Sequence, residues 1–155
     1  TPLIGSSKYP QDFQKWTSIW GLLGHQVWYI CVPGHHMKNF DMTGNAKRLL
    51  DAAYMDKIRR CDHVFVVNDQ QYIGLGTLDE LLYAVSCYKH ISFAQDIKDQ
   101  KCKEEFLNLA KGEGYMPSLV PVELIGECGT KISGVTCWVL NIPILEKFHL
   151  NIVEK

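Results

Sequence analysis

Strand-like and helix-like segments alternate through the first two thirds of this chain, and the run HVFVVN has buried-strand composition. These observations predict one α/β domain built on a parallel sheet of four or five strands, because each right-handed crossover between parallel strands needs a helix-length connection. The 155 residues, 46% of them hydrophobic and 21% charged, suffice for a single core.

PLIGSS opens the chain as a short strand running into a small-residue turn, and Gln11 to Leu23 follows as an amphipathic helix with Phe13, Trp16, Ile19, Trp20 and Leu23 at helical spacing. Gly24 stops that helix, and HQVWYICV (25–32) has the apolar, β-branched and aromatic content of a buried parallel strand. A loop, PGHHMKNFDMT, precedes a second helix from Ala46 to Cys61, with Ala46, Leu50, Tyr54 and Ile58 on one face. The strand 63–68 ends at Asn68 and Asp69, and a third helix opens at Thr77 with Leu78, Leu81, Leu82, Val85 and Tyr88 inward. ISFA is a further short strand, and a charged helix from about Asp99 to Lys111 turns Cys102, Phe106 and Leu109 to the core. The Val/Ile-rich final third, interrupted by Gly and Pro, predicts strands at the sheet edge or an added hairpin.

Sixteen basic and 17 acidic residues balance to a formal charge of -1, which argues against binding a nucleic-acid polymer. No apolar run approaches the roughly 20 residues that span a bilayer, and the N-terminal stretch lacks a signal core, so a soluble, cytoplasmic protein without membrane attachment is expected. Six cysteines without a CxxC pair (Cys31, Cys61, Cys87, Cys102, Cys128, Cys137) predict reduced, mostly buried thiols and no metal site.

Ligands of an open parallel sheet bind where strands end and helices begin. Gly5, Ser6, Ser7 and Lys8 bring hydroxyls, backbone N–H groups and a cation to the entrance of the first helix, which suits a phosphate as well as a plain capped turn. GxGxxG and GxxxxGK[ST] are both absent. His35 and His36 are adjacent and therefore poor partners for one metal; a solvent-exposed pair, or a base or sugar contact from His35, remains.

GLGTLDELLYA (74–84) poses the main question. Thr77-x-x-Glu80 has the form of a capping box. Alternatively, Gly74 and Gly76, free to take positive φ, bring backbone close to a ligand, while the helix dipole keeps a first-turn Glu80 ionised as a nucleophile.

The order IGSSK, Phe13-x-x-Trp16, GHQV (24–27), KIRRCDHVFVVN (57–68) and YIGLGTLDELLYA (72–84) resembles the nucleoside 2-deoxyribosyltransferase superfamily. Within it the match is to a bacterial and phage branch with GS(S/T)K, GHxV and GYIGxSTxxEIxYA motifs, and the chain is also similar to deoxynucleoside 5′-monophosphate N-glycosidases. The resemblance covers residues 1–95 of a single domain spanning 1–155, with 96–155 divergent, and its most specific part is Gly76-Thr77-x-x-Glu80-x-x-Tyr83-Ala84.

The resemblance implies that Glu80 attacks the anomeric carbon of a nucleoside or nucleoside monophosphate and displaces the base. It places Gly5, Ser6 and Ser7 around the sugar or 5′-phosphate, with Lys8, Asn68, Gly74, Gly76 and Thr77 in the site. Tyr54 stands where the superfamily often has an aspartate, so the leaving-group acid falls to Asp69, Asp51 or Asp41, with Asp69 preferred for its place at the strand end. No cofactor or metal is implied, and relatives assemble as homo-oligomers. The expected fold is a flavodoxin-like three-layer sandwich with a C-terminal edge extension. Two other readings stay open: a cytokinin-activating-type phosphoribohydrolase, whose PGGxGTxxE motif matches only in its second half, and a non-catalytic nucleotide-binding domain in which Glu80 is a cap.

Overall fold

The computed structural model describes residues 1–6, 8–29, 45–116, 118–125, 131–140 and 152–154. In chain order the elements are β1 (Leu3–Gly5), α1 (Pro10–Leu22), α2 (Asn45–Arg60), β2 (His63–Val67), α3 (Leu75–Ser86), β3 (His90–Phe93), α4 (Gln100–Gly112), β4 (Leu119–Ile125), β5 (Lys131–Leu140) and β6 (Ile152–Glu154). They form a mixed α/β domain around one open sheet of order β1-β2-β3-β5-β4-β6.

Three strands, β1, β2 and β3, are parallel, and the remaining pairings are antiparallel. Among the described residues the parallel part of the sheet thus holds three strands of the four or five expected, and the rest of the sheet is antiparallel. Of the apolar run 25–32, Trp28 makes a single parallel bridge to Pro2, on the edge of β1 away from β2. Residues 30–32 lie outside the described residues. The strands expected in the final third are β4 and β5, whose connection at 126–130 is too short for a crossover helix and so requires antiparallel pairing. It is β5, not β4, that lies beside β3.

Alternation along the strands sorts the core into two faces. Ile4, Val64, Val66, Ile91 and Phe93 pack with Ile58 of α2, Leu81, Ala84 and Val85 of α3, and Phe106 and Ala110 of α4. Leu3, Phe65 and Val67 face the other way, onto Phe13, Trp16 and Trp20 of α1, in a cluster that also holds Val122, Leu124 and Cys137. Fully burying side chains of this size contributes roughly 1.5–3 kcal/mol each, which is why the α1 stripe, dominated by two tryptophans, holds that face. In α4 it is Ala110 that is buried, while Leu109 is 55% exposed, a correction to the inward place expected for it.

Three helices end alike. The residue after the C-cap takes positive φ (Gly24, φ 90; Tyr88, φ 56; Gly114, φ 99), and the next N–H returns to a carbonyl in the last turn: His25 to Trp20, Lys89 to Ala84, Tyr115 to Ala110. This satisfies carbonyls that would otherwise lack partners. α1 begins with Pro10 in its first turn, where the missing N–H costs nothing.

Candidate functional site

The carboxyl ends of β1 and β2 bring two loops together. Leaving β1, Gly5 sits so close to β2 that a Cβ would lie 2.8 Å from the Val67 carbonyl oxygen, so its glycine is required by strand packing. Ser6 then closes a tight turn: its Oγ accepts from the Lys8 N–H at 3.2 Å and its carbonyl from the Tyr9 N–H at 3.3 Å. Lys8 reaches across to the second loop, where its Nζ lies 4.4 Å from the centroid of the Tyr72 ring. Tyr9 meets the same ring edge-on at 6.5 Å, and Tyr72 in turn lies against Gly74, whose built Cβ would be 3.3 Å from the ring. Lys8 and Gly74 are thus joined through Tyr72, whose place in the site has no signal in the sequence because an aromatic before GxG is not distinctive. Ser7 and His35, and with them Asp41, lie outside the described residues.

Backbone donors at a helix start are better presented by α3 than by α1. Pro10 removes one N–H from α1, and Asp12 places a carboxylate in its first turn. α3 begins two residues earlier than expected, at Leu75, with Gly74 as its N-cap (φ -74, ψ 170), no capping side chain and no acid in its first turn. That corrects three expectations. Thr77 is a buried first-turn residue and not a cap; Glu80 belongs to the second turn, so neither the capping box nor dipole stabilisation applies; and neither Gly74 nor Gly76 has positive φ. Among the described residues, a Cβ on Gly76 would meet nothing within 4 Å.

Glu80 lies one and a half turns into α3, in the row Thr77, Glu80, Ala84 that borders the packed face, and α2 and β1 are among the neighbours of this helix. Its side chain is half-buried and makes no hydrogen bond or ion pair among the described residues. Burial first, then the charges of Asp51 on α2 and of Asp79, push its pKa up to about 7.

The other candidates have structural partners. Asp69, whose side chain is 7% exposed, pairs with Lys15 and accepts from Trp16 Nε1 at 2.8 Å, tying the end of β2 to α1. No hydrogen bond joins it to Glu80 among the described residues. Asn68 is buried and clamps the start of the β3–α4 loop through Gln95, and Gln71, at φ 60, adds a second tie to Asp96 and Lys98. Tyr54 packs edge-to-face on Trp28 at 4.9 Å beside the core of the α2 face.

Among the described residues no group of three or more His, Cys, Asp or Glu side chains could hold a metal, and no helix is long and apolar enough to cross a membrane. Of the described cysteines, Cys137 is buried, while Cys61, Cys87 and Cys102 are only partly so, and all four are free thiols. The chain matches no family model, no curated protein and no solved structure.

Proposed function

We propose that this chain is a flavodoxin-like domain that cleaves or transfers the N-glycosidic bond of a nucleoside or nucleoside 5′-monophosphate, with Glu80 as the nucleophile. One observation carries the reading: Glu80 is a half-buried carboxylate without a partner among the described residues, its pKa raised to about 7, one turn beyond a helix start where Gly76 has room for a side chain among the described residues. A carboxylate with a structural task, such as Asp69, has its oxygens committed. Perturbed, uncommitted carboxylates are the ones available for chemistry.

In this reading the ionised Glu80 attacks the anomeric carbon, an oxocarbenium-like transition state passes to a covalent ester, and the base departs with a proton. Asp51 is ionised in this reading, its negative charge helping to raise the Glu80 pKa, and the departing base takes its proton from water. The first helical turn of α3, with Lys8 and Tyr72 beside it, receives the phosphate or sugar hydroxyls, since unpaired N–H groups and a cation favour an anion there.

The test is base release from ribo- and deoxyribonucleosides and their 5′-monophosphates by wild type, Glu80→Gln and Asp51→Asn, with and without an acceptor base. Release by wild type that disappears in Glu80→Gln and rises with pH through about 7 supports the nucleophile. A rate that falls through the same pH makes Glu80 a general acid instead. Absence of release from every substrate, with thermal stabilisation by one nucleotide in both wild type and Glu80→Gln, removes the enzymatic reading in favour of a binding domain.

A further inference from the structure

A cleft of about 480 Å³ opens at the opposite end of the sheet from Glu80, with Thr1, Pro2, Trp28, Lys57 and Arg60 in its lining. One wall is the 26–28 segment, which is held to the start of β1 by Leu3 N–H to the Trp28 carbonyl (2.9 Å) and Trp28 N–H to the Thr1 carbonyl (3.1 Å). The other wall is the end of α2. Its volume falls within the roughly 300–1,000 Å³ of small-molecule sites.

The chemistry of the lining is one-sided. Lys57 lies with its Nζ 5.4 Å from the centroid of the Trp28 ring and makes no ion pair among the described residues. Arg60 gives one guanidinium nitrogen to Asp56 at 2.7 Å, a carboxylate that Arg59 also engages at 2.6 Å, so two cations share one anion. Lys89 is fixed nearby by its hydrogen bond to the Arg59 carbonyl (2.9 Å), and Asp62 is the other carboxylate of this region. The lining itself holds two basic side chains, Lys57 and Arg60, and no carboxylate. The α2 C-terminus subtracts only about half a charge, so the cleft stays positive. Trp28 supplies a flat apolar surface whose position is fixed by Tyr54.

We propose that this cleft is a second binding site, independent of Glu80, for an oxyanion carried on a planar ring. The ring lies against Trp28 and the phosphate or carboxylate sits between Lys57 and Arg60. Arginine offers a fork of donors suited to such a group, and the lysine, already poised over the indole, adds a point charge. The anion replaces the indole as the partner of the Lys57 ammonium.

The probe is 1-naphthyl phosphate, titrated calorimetrically into wild type, Lys57→Ala/Arg60→Ala, Lys57→Arg and Glu80→Gln, with the Trp28 indole N–H followed by NMR. Saturable one-to-one binding is expected, with a shift of the Trp28 signal, a weakening as salt is added, and at least about a tenfold loss in the double variant. Lys57→Arg and Glu80→Gln should bind as wild type does, and the first shows that charge and not the particular side chain is required. Lack of saturation at millimolar probe, equal affinity in the double variant with its fold intact by circular dichroism, or loss confined to Glu80→Gln would each overturn the site. Saturation by inorganic phosphate with equal affinity would overturn the ring component.

Discussion

Asn68 and Gln95 exchange two hydrogen bonds: Asn68 Nδ2 donates to the Gln95 carbonyl at 3.0 Å, and the Gln95 N–H donates to Asn68 Oδ1 at 2.9 Å. Through this pair the end of β2 holds the end of β3, and the loop before α3 is kept in register with the loop before α4.

Asn68→Ala removes both bonds and leaves a backbone donor and acceptor of Gln95 without their partner. A loss of about 2–3 kcal/mol in urea unfolding is expected. Asn68→Asp retains the acceptor but turns a carboxylate toward the Gln95 carbonyl, and it should destabilise more at pH 7 than at pH 4. Wild-type stability in Asn68→Ala would mean that Gln71, with its ties to Asp96 and Lys98, holds the two loops alone.

Asp69→Asn keeps the shape and one acceptor for Trp16 while removing the charge opposite Lys15, which is half exposed. Stability should fall by about 1 kcal/mol, because a pair open to water on one side is partly screened. Base release should stay within about a factor of three of wild type. A large fall in rate at unchanged stability would return Asp69 to the reaction.

Glu80 makes a signed prediction. Its pKa in the folded protein is about 7, above the usual 4.5, so the folded state binds the proton more tightly than the unfolded one. Its contribution to stability is fully present below 4.5 and is lost as pH rises through 7. Glu80→Gln should therefore be more stable than wild type, by an amount that grows across that window and levels off above it at about 1–3 kcal/mol. A stability difference independent of pH would show that the carboxyl group titrates normally.

His63 titrates in the opposite sense. It is fully buried, with Nδ1 3.2 Å from Thr1 Oγ1 and Nε2 2.8 Å from Ser92 Oγ, and burial, followed by the charges of His25, the Thr1 amine and His90, holds its pKa well below 6.5. The unfolded chain takes up the proton first, so the stability present above 6.5 declines as pH falls below it. Denaturant midpoints measured from neutral to acid pH should drop for wild type and drop less for His63→Gln. Parallel profiles for the two proteins would place the acid sensitivity elsewhere.

Much of this fold was legible where periodicity is carried by large side chains. Phe13, Trp16 and Trp20 mark the buried face of α1 because no other spacing would bury all three, and HVFVV reads as a strand buried on both faces, as it is. The start of α3 is not legible, because Thr77-x-x-Glu80 imitates a capping box, whereas a glycine in extended conformation opens the helix and leaves Leu75 83% exposed. Gly24 and Gly114 announce their helix ends, but Tyr88 takes the same left-handed conformation with no sequence signal. The place of β5 between β3 and β4 depends on pairings distant in sequence, which local pattern does not encode. Glu80 could be picked out from its motif, but the commitment of Asp69 to α1 could not, since it rests on Lys15 and Trp16 arriving from another layer.

The insertion of β5 also sets an order on synthesis. β1, β2 and β3 can assemble with their helices as the chain emerges, yet the outer edge of β3 stays bare until Trp138 and Val139 have been made and folded back from beyond β4. For that interval Ser92 and Phe93 present unpaired backbone to any passing strand, the exposure that invites association between nascent chains. A ribosome that stalls before Lys131 would release a fragment with an adhesive edge, so the hairpin that closes the sheet also protects it from its neighbours.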